Sequence, residues 1–303
     1  MNAQTSSVIF TRRACIFWTV TWKEIYHAIS DSKVALAILK PRRGNRERSQ
    51  DGGVTYHYVW LAWSGAFLVL WVVLYVAYPL LRTAMRQTSA ITALFGLTEP
   101  IFIPNYWNPP SLFDLAQRTG FDLESIVFSF AIGGIGIVLY HAVSATHIER
   151  VPANRRVGAL HRFHTIGLLG APIAFVPLAL LPWNVIYAVI TSLLLGSMLS
   201  VICRPALARA TIIGGGLFFV LYAAFMLGLT WFTPSFIPQV WNLRALSGVL
   251  VVGIPLEELL FGAVFGMYWS SVYEHFTWSE SVSHAHRHAR GSRRDHDSAG
   301  ADK

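Results

Sequence analysis

The sequence predicts an all-α polytopic membrane protein of about seven transmembrane helices, built as two parallel three-helix repeats. Three observations carry this expectation. The 303 residues are 54% hydrophobic and 13% charged, with mean hydropathy +0.47, where a soluble domain carries roughly 25% charged residues. Several runs reach the ~20 apolar residues that cross a bilayer as a helix. A string centred on a carboxylate inside apolar chain also occurs twice.

In order, the predicted spans are 58–81, 87–104, 122–143, 164–181, 184–203, 211–232 and 246–273. The first is strongly apolar. The second is weak, because Thr88, Ser89 and Thr92 interrupt it. The fourth ends at Pro182-Trp183, a tight turn into the fifth. With seven spans, four basic clusters fall on one side: Arg82 and Arg86; Arg150, Arg155, Arg156 and Arg162; Arg204 and Arg209; and Arg287, Arg290, Arg293 and Arg294. Positive loops face the cytoplasm, so the expected location is the inner cell membrane with a cytoplasmic C-terminus. The net charge of +8 then belongs to loops and lipid-facing tails rather than to a nucleic-acid surface. The eleven tryptophans suit anchoring at the interface.

The chain divides into a basic tail (1–53), a first unit (54–146), a basic loop with a connector span (147–182), a second unit (183–276) and a His/Arg-rich tail (277–303). The N-terminal tail breaks the charge pattern and has no signal-peptide cleavage site. It reads either as a translation start set too early, with Val54 the natural beginning, or as a partly helical basic tail. The C-terminal HAHRHARGSRRDHD, from His284, reads as a disordered basic tail near anionic headgroups, although its histidine spacing suits a metal. Cys15 and Cys203 have no metal-ligand spacing, and Cys203 reads as a packing residue. No metal and no cofactor is expected: GGIGIV at Gly133 to Val138 lies inside a span, where it serves helix packing rather than a dinucleotide.

The repeat is visible by comparing the chain with itself. FIPNYWN (Phe102 to Asn108) recurs as FIPQVWN (Phe236 to Asn242), each preceded by GLT. GFDLESIVF (Gly120 to Phe128) recurs as GIPLEELLF (Gly253 to Phe261). The frame then runs without gaps, matching Glu124 to Glu257, Phe128 to Phe261, Gly133 to Gly266 and Tyr140 to Tyr273. Parallel repeats put equivalent groups at equivalent depth. Glu124 and Glu257 should therefore sit level, just inside the outer helix ends, each sharing a helix face with the aromatic ring four residues on. Trp107 and Trp241 suit interfacial anchoring; Asn108 and Asn242 suit orienting the carboxylates.

Burying a carboxylate is costly, and intramembrane acids are usually functional. A carboxylic acid in a dry site near another carboxyl can serve as a general acid, and aromatic faces stabilise a cation. That chemistry implies an apolar substrate drawn from the bilayer. Glu257 and Glu258 can alternatively hold a metal, relay protons or ions in a transporter, or pair with Arg118 or Arg244.

PLEELLF with its preceding glycine, the FIP..WN loops and the two three-span units resemble the integral-membrane lycopene cyclases of the heterodimeric or fused-domain type, over about residues 58–276. The resemblance implies a redox-neutral isomerase (intramolecular lyase) of carotenoid biosynthesis. In that reaction an acid protonates the terminal double bond of a linear carotene, and an ionone ring closes. By position Pro255, Glu257 and Glu258 match the family's Pro-x-Glu-Glu motif, which implies Glu257 as the acid and Glu258 as its partner or base. The first unit departs from the motif: Asp122 replaces the proline and Ser125 the second glutamate, leaving Glu124. A homo- or hetero-oligomer, an isoprenoid or carotenoid substrate and contact with membrane lipids are the implied partners. Intramembrane glutamate-type metalloproteases carry a similar Glu-Glu-x-x-x-Arg string, but Gly262 occupies the arginine position, and His141 and His164 lie at span ends.

Overall fold

The structure, a computed structural model, describes residues 58–152, 156 and 163–283. The basic segment 1–53 and the tail from His284 lie outside the described residues. Seven helices of twelve residues or more are present among the described residues. They are labelled α1 (Val59–Ala77), α2 (Arg82–Ala93), α3 (Leu123–Ser144), α4 (His164–Ala179), α5 (Val185–Cys203), α6 (Ala208–Phe232) and α7 (Leu256–Thr277). Four of these, α1, α3, α5 and α6 (the last with its leading turn), are long and apolar enough to cross a membrane. The protein is thus a mostly helical membrane protein. α4 is apolar but has only 16 residues and holds Pro172 and Pro177. α7 is as long as α3 but carries Glu257, Glu258 and Glu274.

Two sequence expectations are corrected. The segment 87–104 is not one helix. α2 stops at Ala93, a 3-10 turn follows at Leu94–Thr98, and a short helix at Glu99–Phe102 leads into the loop. Proline at the second position of that short helix starts a new helix rather than continuing the old one. The polar residues that weaken the segment's hydropathy are buried and satisfied. Thr88 and Thr92 donate to the carbonyls of Ala84 and Thr88 at 2.9 and 2.6 Å, and Ser89 Oγ accepts from Trp71 Nε1 at 2.9 Å. The segment 246–273 also begins late, because residues before Leu256 form a small hairpin. Strand β2 (Leu250–Val251) pairs with β3 (Ile254–Pro255) through Val252 and Gly253, both at positive φ. Glu257 and Glu258 lie in the first turn of α7, just inside the helix end as the repeat predicts.

α3 and α7 pack against each other at the centre. α1 and α2 flank α3, α5 and α6 flank α7, and α4 lies on α5. The close approaches need glycine. A Cβ on Gly133 would overlap Thr92 of α2, and one on Gly266 would overlap Phe218 of α6.

At one end of the bundle, α3 and α7 each finish on a left-handed residue, Ala145 and Trp278. They continue into β1 (Thr146–Arg150) and β4 (Ser279–Ser283), which pair antiparallel. His141 Nε2 of α3 lies 3.5 Å from Glu274 Oε1 of α7 beneath this pair. Arg204 donates to the Ser279 carbonyl at 2.5 Å, and the Pro79–Leu81 turn packs on β1. Arg82, Arg150 and Arg204 thus belong to one end. At the other end the two FIP..WN loops hydrogen-bond to each other reciprocally: Asn108 N donates to Val240 O at 2.8 Å, and Asn242 N to Tyr106 O at 2.9 Å. Between them Trp107 bridges Trp241, ring centroids 5.3 Å apart.

Candidate active site

The loops before α3 and α7 end in different caps. Asp122 is the N-cap of α3, and its carboxylate accepts from Ser125 N and from Ser125 Oγ. Pro255 takes the same place before α7, with no side-chain cap. The glutamate two residues on does the same work in both. Glu124 Oε1 accepts from Leu112 N at 2.8 Å, and Glu257 Oε1 from Ser247 N at 2.7 Å. Each fastens the preceding loop to the start of its helix, where a carboxylate also meets the positive end of the helix dipole. Tyr187 of α5 adds a hydroxyl donor to Glu257 at 2.6 Å.

The next position differs. Glu258, 4% exposed, turns into the space between α3, α5, α6 and α7. Three side chains donate to it: Tyr106 and Trp241 (Nε1, 2.7 Å) to Oε1, and Tyr222 (2.5 Å) to Oε2. Tyr106 and Trp241 come from opposite FIP..WN loops, so both loops close on one carboxylate. Its counterpart, Ser125, accepts from Trp60 Nε1 at 3.4 Å and carries no charge. The acid on that side comes from elsewhere: Glu99, 6% exposed, sits beside Trp107 and Ser125.

Glu258, Glu99 and Ser125 all line one cavity. Nearly half of its lining residues are aromatic, Phe128 and Phe261 among them. Trp60 packs on Phe128 at 5.0 Å, and Tyr222 on Phe261 at 5.7 Å. Neither Glu124 nor Glu257 lines the cavity; both are held by their loops instead. Among the described residues no ion pair joins Glu257 or Glu258 to an arginine: Arg118 lies 3.9 Å from exposed Asp114.

The remaining residues singled out in the sequence divide clearly. Trp107 and Trp241 are buried, at 8% and 5% exposure, rather than anchored at an interface. Asn108 and Asn242 are exposed and bond the two loops, with Asn242 Nδ2 donating to Asn105 O at 3.1 Å. They do not orient a carboxylate. Glu99, Tyr106 and Tyr222 escaped the sequence reading. Glu99 was signalled by its place directly after the repeated GLT, an acid in an otherwise apolar segment. Tyr106 lay inside the repeated loop, opposite Val240, where the repeat itself gave it no weight.

The site is thus a carboxyl group under three donors at the edge of an apolar, aromatic cavity within a helical membrane bundle. Residues 184–276 match the family model described as lycopene cyclase, a match that supports a lycopene cyclase-like membrane protein. No curated protein and no solved structure matches the chain.

Proposed function

We propose that the protein is a membrane carotenoid cyclase that closes ionone rings by acid catalysis, with Glu258 rather than Glu257 as the acid. The observation that carries this reading is the position of Glu258: buried, held by three donors, and facing the aromatic cavity. The Glu258 carboxyl gives its proton to the terminal double bond of a linear carotene, leaving a tertiary cation. An internal double bond attacks that cation, a carbon–carbon bond forms, and the charge moves into the new ring. Loss of a ring proton to Glu99 gives the ionone end, and the proton returns to Glu258 before the next turnover. Atoms and electrons balance with no oxidant or reductant. Tyr106, Tyr222 and Trp241 stabilise the carboxylate left by proton transfer, while Phe128 and Phe261 offer ring faces to the cation.

The proposal includes a topology of seven spans in two parallel three-helix units, with the basic end and the C-terminus at the cytoplasm. The reciprocal loop bonds, the equivalent Glu124 and Glu257 contacts and the matched glycine crossings support it. The substrate is an apolar carotenoid taken from the bilayer. No observation favours a protease or a transporter, and Gly262 still stands where the protease string needs arginine. The test is expression in cells that accumulate lycopene. Cyclised carotene is the expected product; unchanged linear lycopene, with the protein shown to be folded in the membrane, would overturn the proposal.

A further inference from the structure

The basic end of the bundle holds a cluster that cyclisation does not use. His164 opens α4, Cys203 closes α5, and His275 lies in the last turn of α7. Their donor atoms all lie within 4.8 Å of one another. Cys203 and His275 are buried, at 2% and 1% exposure. The three residues are far apart in sequence, which is why no ligand spacing shows in the chain.

The surroundings are shaped to this group. The His164 ring stacks on Trp278 at 4.3 Å and 21°, which fixes its plane, and meets the His275 ring at 4.4 Å and 73°. Gly167, one turn along α4 from His164, leaves the room: a Cβ there would lie 2.7 Å from His275 Cε1 and 3.4 Å from the Cys203 Cβ. Any larger residue at 167 would push into the triad.

One thiolate and two neutral imidazoles form a borderline-soft donor set that suits a tetrahedral d10 ion. Zinc bonds of about 2.3 Å to sulfur and about 2.0 Å to nitrogen set donor atoms ~3.5 Å apart in a tetrahedron. The present separations need close by little more than an ångström, within reach of side-chain rotation. Water can fill the fourth position.

We propose that His164, Cys203 and His275 bind one zinc(II) ion that ties together the ends of α4, α5 and α7. The site lies roughly 25 Å from Glu258 along α7, at 1.5 Å per residue, so its role is to hold helices rather than to act on substrate. It is independent of the cyclase reading.

The test uses the full chain, purified in detergent without a histidine tag and carrying Cys15→Ser, so that Cys203 is the sole thiol. A second preparation also replaces tail residues His284, His286, His288 and His296 with alanine, removing the competing binder. Expected are one zinc atom per chain in both preparations after dialysis, a thiolate-to-cobalt charge-transfer band on cobalt(II) substitution, and slowed alkylation of Cys203 when zinc is present. Cys203→Ser should lose both zinc and band, and chelation should lower the Tm of the intact chain. Zinc well below one per chain with no thiolate–cobalt band would overturn the proposal. So would metal that vanishes with the tail histidines yet survives Cys203→Ser. Should Cys203→Ser fail to fold, the cobalt band and the alkylation rate of the unaltered triad decide.

Discussion

The starts of α3 and α7 use nearly the same sequence for different ends. Both place a glutamate two residues after the cap position, and both use it to hold a loop, Glu124 on Leu112 N and Glu257 on Ser247 N. The following residue separates them. In α7 it is Glu258, which enters the cavity; in α3 it is Ser125, and the carboxylate beside it is Glu99 from the broken segment after α2. Trp241 faces Glu258 and Trp107 lies by Glu99, so each buried indole still has an acid for company. The residue repeated most faithfully is therefore the structural one. The residue that faces the cavity differs between the two units, Glu258 in one and Ser125 in the other.

Substitutions can break this comparison. The largest effect belongs to Glu258→Gln, which keeps shape and removes the acid: cyclised product in lycopene-accumulating cells should fall by about a hundredfold or more. An equal loss in Glu257→Gln with full activity in Glu258→Gln would return the acid to Glu257. Glu99→Gln comes next, with turnover lowered about tenfold to a hundredfold. Activity unchanged there would remove Glu99 from the reaction and leave Glu258 as the sole reacting acid among those lining the cavity. Tyr222→Phe, which deletes one of three donors to Glu258, should slow turnover about tenfold, equivalent to ~1.4 kcal/mol, with the carotene product unchanged. Smallest in catalysis are Glu124→Ala and Glu257→Ala. Each frees a partly exposed loop amide and should cost about 0.5–1.5 kcal/mol of stability, seen as a lower Tm in detergent, while the folded fraction keeps most of its turnover. A collapse of turnover in Glu257→Ala at unchanged stability would mark a chemical role for that residue.

Much of this arrangement can be read from the chain alone. Apolar runs mark α1, α3, α5 and α6 because a span needs length and hydropathy and little else. The paired strings around Glu124 and Glu257 identify the helix starts that flank the cavity. Three features resist such reading. The second segment looks like a weak span because hydropathy treats Thr88 and Thr92 as polar, whereas each bonds to the carbonyl one turn earlier. The choice between Glu257 and Glu258 depends on which way a side chain leaves the first helical turn, and the hairpin before α7 sets that by carrying Ser247 to Glu257. The His164, Cys203 and His275 cluster arises from three helix ends meeting in space, which no local pattern encodes.

The central helices are joined twice, by the crossed loops at one end and by the β1–β4 pair at the other. In mechanical terms α3 and α7 form a beam held at both ends. Under the proposed cyclisation, room for a long guest comes from the walls. On the α4 side those walls include Ala171, Pro172 and Phe175, where proline has already removed a helical hydrogen bond. On the same proposal, the doubly held pair keeps Glu258 in place while the flank at α4 admits the substrate. Spin labels on α3 and α7 should hold their separation when carotene is added, and a label on α4 should shift; movement between α3 and α7 instead would show that the supports yield.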